Sequence, residues 1–209
     1  MRPLTSDLLL RAYASGIFPM ARSRDENRLY WIDPERRGIL PLDAFHVPKS
    51  LRRTLRAGRF EIRCDTAFEA VMRACGEATA DRPETWINDQ IVRLFVELFE
   101  LGLAHSIEVR QDGELVGGLY GLALGSAFFG ESMFSRRTDA SKVALVHLVA
   151  RLRHGGFRLL DTQFVTDHLK QFGAVEIPRA EYQQRLADAL DEPARFERDG
   201  AVSWEEALG

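Results

Sequence analysis

Two acids and an amide stand out in segments that otherwise read as buried strands: Glu131 within FFGESMF, and Asp161 with Gln163 within LLDTQF. Buried charge costs several kcal/mol unless it is paired, so these carboxylates need a reason. Side chains alternate along a strand. That predicts Phe129, Glu131 and Met133 on one face of the first segment, and Leu159, Asp161 and Gln163 on one face of the second. If the segments are neighbours, about 4.8 Å apart, Glu131, Asp161 and Gln163 converge. Such a group can bind an amine or take a proton from it. Each acid alone has a plainer reading: Glu131 paired with Arg136 or Arg137, and Asp161 capping nearby backbone.

The elements around them support the convergence. SIEVR, ELVGGLYGLAL and AFFGESMF, separated by QDG and Gly125-Ser126, read as an antiparallel meander. DASKVALVHLVARLRH reads as a helix capped at Thr138 or Asp139 and ended by Gly155-Gly156, and RLLDTQF as the next strand. This crossover makes AFFGESMF and RLLDTQF parallel neighbours. Open α/β sheets bind ligands at the carboxyl ends of such strands. Helices are also expected at 6–15, 48–56, 68–79 and 89–101, around DHLKQF, and in AEYQQRLADAL; RLYWID, RFEIRC and AVEIPR are expected strands. PERRGILPLDAFHVPKS, with three prolines, reads as irregular connection. The fold class is α/β (α+β): a small N-terminal unit over 1–45, then a main domain over 46–209 that ends in an acidic tail.

Charge is distributed unevenly. Residues 49–63 carry six basic residues and one acid, whereas 181–209 carry eight acids and three basic residues. Lys49, Arg52, Arg53 and Arg56 follow i, i+3, i+4, i+7 spacing and form one helical stripe away from Leu51 and Leu55. The stripe is either a solvated face or a phosphate contact; the lack of interleaved acids favours phosphate. Trp31 in YWIDP and Trp86 in TWIND have a core role by default, and Trp31, bordering a loop, has the alternative of stacking on a base. GGLYG lacks dinucleotide-loop spacing and sits within a strand, so it reads as a bend or a close substrate approach. The five histidines show no ligand spacing; His147 and His168 read as structural or solvated. Cys64 and Cys75 read as reduced core thiols. No run approaches a membrane span, and the N-terminus lacks a secretory pattern, so a cytoplasmic protein with no metal, no cofactor and no membrane partner is expected.

YASGIFPM, YWIDPERRGILP, TWIND, HSIEV, ELVGGLYGLALG, FFGESMFSR, DASK and LLDTQF occur in that order. Together they resemble the leucyl/phenylalanyl-tRNA–protein transferase family, to about residue 190. The resemblance implies an acetyltransferase-like (GNAT) mixed sheet behind a smaller N-terminal domain. It implies transfer of leucine or phenylalanine, less readily methionine, from aminoacyl-tRNA to proteins beginning with Arg or Lys, which marks them for degradation, by a monomer. Carried over by position, Glu131, Asp161 and Gln163 resemble the active-site trio. Trp31 resembles the contact to the terminal adenosine, with Trp86 grouped among the substrate-binding residues. Leu119 and Phe128 fall where the family lines an apolar side-chain pocket, and Lys49, Arg52, Arg53 and Arg56 resemble the acceptor-stem contact. Met20 stands where the family often has an aromatic residue, and Thr162 where cysteine is common. The chief alternative is an acyl-CoA-dependent N-acyltransferase of the same fold, but RRTDASK lacks the central glycine of the pyrophosphate loop.

Overall fold

The computed structural model describes residues 4–24, 26, 28–78, 84–198 and 202–208. Helix α1 (Ser6–Ala14) begins where Thr5 accepts a hydrogen bond from the Leu8 N–H, and it turns Leu9 and Tyr13, one helical turn apart, into the core. Strands β1 (Phe18–Met20) and β2 (Tyr30–Ile32) form a separate antiparallel ribbon. The next strand, β3 (Arg36–Ile39), does not stay with them.

The rest of the chain alternates much as its pattern predicts. Helix α2 (Lys49–Arg56), β4 (Glu61–Cys64), α3 (Phe68–Cys75) and α4 (Asp89–Glu100) lead into the meander. The end expected for α3, at Thr79, lies outside the described residues. The meander is β5 (Ala104–Gln111), β6 (Glu114–Leu124) and β7 (Ala127–Ser135). Helix α5 (Ala140–His154), β8 (Leu159–Gln163), α6 (Asp167–Lys170), β9 (Val175–Pro178) and α7 (Arg179–Asp191) come next. A seven-stranded mixed sheet runs in the order β4-β5-β6-β7-β8-β3-β9. Strands β7 and β8 are parallel neighbours joined through α5, as the crossover requires.

Strand β3 corrects the reading of residues 34–50 as irregular connection. It lies between β8 and β9, antiparallel to both, so residues placed with the N-terminal unit complete the main sheet. At four residues, framed by Pro34 and Pro41, it is too short to show alternation.

The sheet separates two apolar layers. On one face, α5 and α2 cover Ile107, Leu119, Phe128 and Leu160. On the other, α1, α3, α4 and α7 cover Tyr120, Leu122, Phe129 and Leu159. The chain's end returns to the α5 face: Phe196, Val202 and Ala207 are buried there, the last within a 3-10 turn over Trp204–Leu208.

The middle of the sheet departs from regular pairing in two places. Along β6 and β7, Tyr120 faces Ser132 while Gly121 faces Gly130, so Glu131 is the extra residue of a β-bulge. The bulge breaks the expected alternation. Phe129 packs on the α1 face and Met133 on the α5 face, rather than together. In addition, β7 and β8 pair only from Ala127–Leu159 to Phe129–Asp161, and no further pairing joins them beyond that point.

Candidate active site

Asp161 is wholly buried at the last position where β8 pairs with β7. Arg37 of β3 grips it with two hydrogen bonds, Nε to Oδ1 at 2.9 Å and Nη2 to Oδ2 at 2.6 Å. The Tyr182 hydroxyl donates to Oδ2 at 2.8 Å, and the Gln163 backbone N–H donates to Oδ1 at 2.8 Å. Arg37 is itself 1% exposed; its Nη1 reaches the Gly16 carbonyl, and its guanidinium lies 4.5 Å from the ring centres of both Phe18 and Tyr182. Burial, then the Asp161 charge, pushes the Tyr182 phenol up, so it stays a donor. Asp161 is thus enclosed by protein groups, and it does not line the cavity that opens between β7 and β8. Its bonds instead fix the backbone of Gln163.

Gln163 adopts a left-handed backbone (φ +56°), uncommon for a residue with a Cβ. Its place opposite Gly38 of β3 explains how this is tolerated. A Cβ on Gly38 would sit 2.6 Å from the Phe164 carbonyl carbon, so only glycine lets the chain turn there. The turn aims the Gln163 amide across the gap between β8 and β7. There Nε2 donates to Glu131 Oε1 at 3.2 Å, and the Tyr13 hydroxyl donates to the same oxygen at 2.8 Å. Burial pushes the Glu131 carboxyl up to about 8, and the nearby Asp161 charge adds to this. The Tyr13 and Gln163 hydrogen bonds and the Arg37 charge oppose it. Arg136 bonds both oxygens of Glu77, not Glu131.

Where β7 and β8 part, a cavity of about 720 Å³ opens. Glu131 and Gln163 line it, as do Leu119, Met133, Leu145, Leu148, Leu160 and Leu169, with Met20, Trp86 and Phe134. Of the expected substrate-binding residues, Leu119 and Trp86 line this space. Phe128 does not: its ring is packed away from it, with centroids 5.6 Å from Phe196 and 6.2 Å from Phe157. Trp31, 43% exposed, sits on β2 opposite Pro19, which does line the cavity.

Helix α2 presents Lys49, Arg53 and Arg56 to solvent while Leu51 and Leu55 are buried. Arg52 is partly buried and donates to the Val47 carbonyl at 2.9 Å. Thr54 bonds Asp139 at 3.0 Å, which sets α2 beside the start of α5.

The sequence reading missed Tyr13, Arg37, Tyr182 and His168. Tyr13 and Tyr182 carry an ordinary apolar helical signal. Arg37 has no neighbour in sequence to reveal its partner. His168, read as structural or solvated, lines the cavity together with Thr162.

A family model described as leucyl/phenylalanyl-tRNA protein transferase matches residues 39–187, and one described as the N-terminal domain of that transferase matches residues 2–35. Three curated relatives carry the name leucyl/phenylalanyl-tRNA–protein transferase. That of Paramagnetospirillum magneticum is 86% identical over 208 residues, covering 100% of both chains. That of Rhodospirillum rubrum is 58% identical over 199 residues (95% of this chain, 93% of the relative), and that of Phenylobacterium zucineum 61% identical over 195 residues (93% and 88%). Among solved structures, similarity is distant. The C-terminal domain (DUF2156) of a putative lysylphosphatidylglycerol synthetase from Agrobacterium fabrum aligns with a TM-score of 0.41 and 10% identity, over 83% of this chain and 58% of that one. L-PGS from Bacillus licheniformis aligns at 0.37 and 12%, over 74% and 51%.

Proposed function

The chain belongs to the leucyl/phenylalanyl-tRNA–protein transferase family, and from that premise we propose that it moves leucine or phenylalanine, less readily methionine, from tRNA onto the α-amine of proteins beginning with Arg or Lys. In this reading it works as a cytoplasmic monomer without a cofactor, on an acetyltransferase-like sheet. The antiparallel meander followed by a parallel strand–helix–strand unit supports that fold reading. Among the described residues, no helix is long and apolar enough to cross a membrane.

The observation that carries the proposal is the Glu131–Gln163 bridge, set between parting strands at the rim of an apolar cavity. The apolar lining takes the donor side chain, with the ester carbonyl near Gln163. The acceptor α-amine attacks the ester carbon, and a C–N bond forms as the C–O bond to the terminal ribose breaks. The tRNA leaves as a free hydroxyl that takes up the proton the amine loses. With a pKa of about 7.7–8, a substantial fraction of the amine is already neutral near pH 7. Positioning therefore supplies much of the acceleration.

In this arrangement Gln163 gives its Nε2 to Glu131, and its Oε1, which has no hydrogen-bond partner among the described residues, accepts from the amine. Glu131 meets the cationic acceptor group. Asp161 acts through Gln163, as a positioning residue, because its own oxygens are occupied. Lys49, Arg53 and Arg56 contact the acceptor stem, Trp31 the terminal adenosine, and Trp86, which lines the cavity, the substrate. The turn where an acyl-CoA pyrophosphate would sit carries Asp139, bonded by Thr54 and by Lys142 at 3.0 Å. An acid at that point disfavours a diphosphate, which supports tRNA over CoA as donor.

The test is single-turnover transfer from leucyl-tRNA to a peptide beginning with Arg. Wild type should form a peptide-linked product that ribonuclease pretreatment abolishes, and Gln163→Ala should slow it ~10²-fold or more while donor binding persists. Equal rates for the two proteins, or transfer from acetyl-CoA instead, would remove the bridge from the chemistry.

A further inference from the structure

The turn between β7 and α5 joins two parts of the molecule that the proposed reaction uses separately. At its start, Ser135 and Arg136 line the cavity, along with Trp86. At its end, Asp139 accepts the Thr54 bond of 3.0 Å that sets α2 alongside. Its own hydrogen bonds fix the turn. The Ser135 hydroxyl donates to the Arg137 carbonyl at 2.8 Å and accepts from the Ser141 N–H at 3.2 Å. The Ala140 N–H reaches the same Arg137 carbonyl at 3.1 Å.

The charges along this turn are not equally engaged. Arg136 is committed: it bonds both oxygens of Glu77 and the Leu115 carbonyl, and its guanidinium lies 5.2 Å from the Phe134 ring centre. Asp139 is met by Lys142 and by Thr54, each at 3.0 Å. Arg137, between them, is exposed. Its guanidinium donates only to the Arg136 carbonyl, at 3.3 Å, and has no carboxylate partner among the described residues. Lys49, Arg53 and Arg56 on the adjoining α2 are exposed as well. Positive charge thus continues from the α2 stripe onto the turn that opens on the cavity. Asp139 keeps two adjacent phosphates off the start of α5, but a nucleic acid strand carries its phosphates one to a nucleotide and can pass over Arg137.

Resting on the reading of this cavity as the site of the aminoacyl-adenosine, we propose that Arg137 binds the phosphates of the unpaired 3′ strand that links that adenosine to the paired stem on α2. Every tRNA ends in such a strand, CCA, and a duplex cannot follow one nucleotide into a cavity. Single strands are held by cations that track the backbone, beside aromatic side chains on which bases stack. Arg137 follows directly on a residue that shares the cavity lining with Trp86. It gives the protein a second hold on the same RNA, separate from the contact of α2 with the stem. A donor shortened to its terminal nucleoside cannot use it.

Two donor analogues isolate this contact, each with leucine joined at the 3′ position through a stable amide: one on adenosine alone, one on the trinucleotide CCA. Each is measured as an inhibitor of transfer from leucyl-tRNA to a peptide beginning with Arg. In wild type the trinucleotide should inhibit at a ~10-fold or more lower concentration. That advantage should shrink with salt, by a slope of roughly 0.7 in log–log terms for each phosphate held. Arg137→Ala should reduce the advantage ~3–10-fold, the size of one exposed charged contact, and Arg137→Lys should restore part of it. The ratio of the two analogues cancels any general loss of activity in a variant. Equal inhibition by both in wild type, none by either, or an advantage indifferent to salt overturns the proposal. So does an Arg137→Ala protein that binds whole tRNA more weakly yet keeps the wild-type ratio, because Arg137 then touches the paired stem instead. If leucyl-tRNA gives no transfer at all, the transferase reading itself has failed, a result distinct from equal inhibition by the two analogues.

Discussion

Glu131 titrates near 8, far above the 4.5 of a free glutamate, and burial is the main cause. Between those values the folded chain holds a proton that the unfolded chain has lost. The stability this residue contributes is therefore full below pH 4.5 and lost as pH rises through 8. Glu131→Gln should flatten that decline in a thermal-denaturation series from about pH 4.5 to 8.5. The Tyr13 hydrogen bond lowers the Glu131 value, so Tyr13→Phe should move it up. If the carboxylate form meets the cationic acceptor, the acid limb of single-turnover transfer moves to higher pH with it; an unmoved limb would mean Glu131 does not set it. Asp161 calls for a different experiment. Asp161→Asn strands the buried Arg37 guanidinium, so it should cost ~3–5 kcal/mol in urea denaturation, besides slowing transfer. Native-like stability of that variant would contradict the pairing. Here the sequence showed the acids and the amide but not their roles. Asp161 and Gln163 share a strand at i, i+2, which suggested two groups aimed at one substrate; the partner that closes Asp161 off lies 124 residues away.

The strands explain why alternation was a partial guide. The parallel pair and its crossover helix were legible because a 15-residue helix between two apolar runs permits little else. The bulge at Glu131 and the left-handed turn at Gln163 were not, because each depends on the neighbouring strand. That dependence can be measured. Gln163→Gly and Gln163→Ala both remove the amide, but only alanine keeps a Cβ in the left-handed conformation. The glycine variant should be the more stable by ~1 kcal/mol, and equal stabilities would mean the turn is unstrained. Gly38→Ala should lower both stability and transfer, because its Cβ would strike the Phe164 backbone rather than a yielding side chain. On α2, the helical stripe was legible from spacing alone, and only Arg52 departs from it through its bond to Val47. Replacing Lys49, Arg53 and Arg56 by Ala should reduce the slope of log K against log salt for tRNA by roughly 0.7–0.9 for each phosphate that the variant no longer neutralises. An unchanged slope would take this helix out of the RNA site.

At the scale of the molecule, the sheet draws its parts from both ends of the chain. The acidic tail, for which the sequence suggested no role, packs against the α5 face. Phe196 stacks on His105 at 4.1 Å, Arg198 meets Asp65 at 2.9 Å, and Glu206 meets His154 at 2.9 Å. Removing residues 192–209 uncovers Phe128 and Phe157, and should lower the thermal midpoint by roughly 10 °C, as a loss of several kcal/mol from a chain this size requires. Among the described residues, none that lines the cavity lies in that segment, so transfer measured well below the new midpoint should survive. Strand β3 has a different kind of consequence, one of timing. Protein synthesis runs from the amino end, at ~5–20 residues per second. Arg37 is therefore made roughly 6–25 s before Asp161, on a strand whose two neighbours, β8 and β9, are both still unmade. A nascent chain holds a finished meander while the strand bearing its key arginine waits without a slot, and Tyr182 comes later still. A chain halted before β8 thus carries β3 with neither neighbouring strand, and Arg37 without its carboxylate.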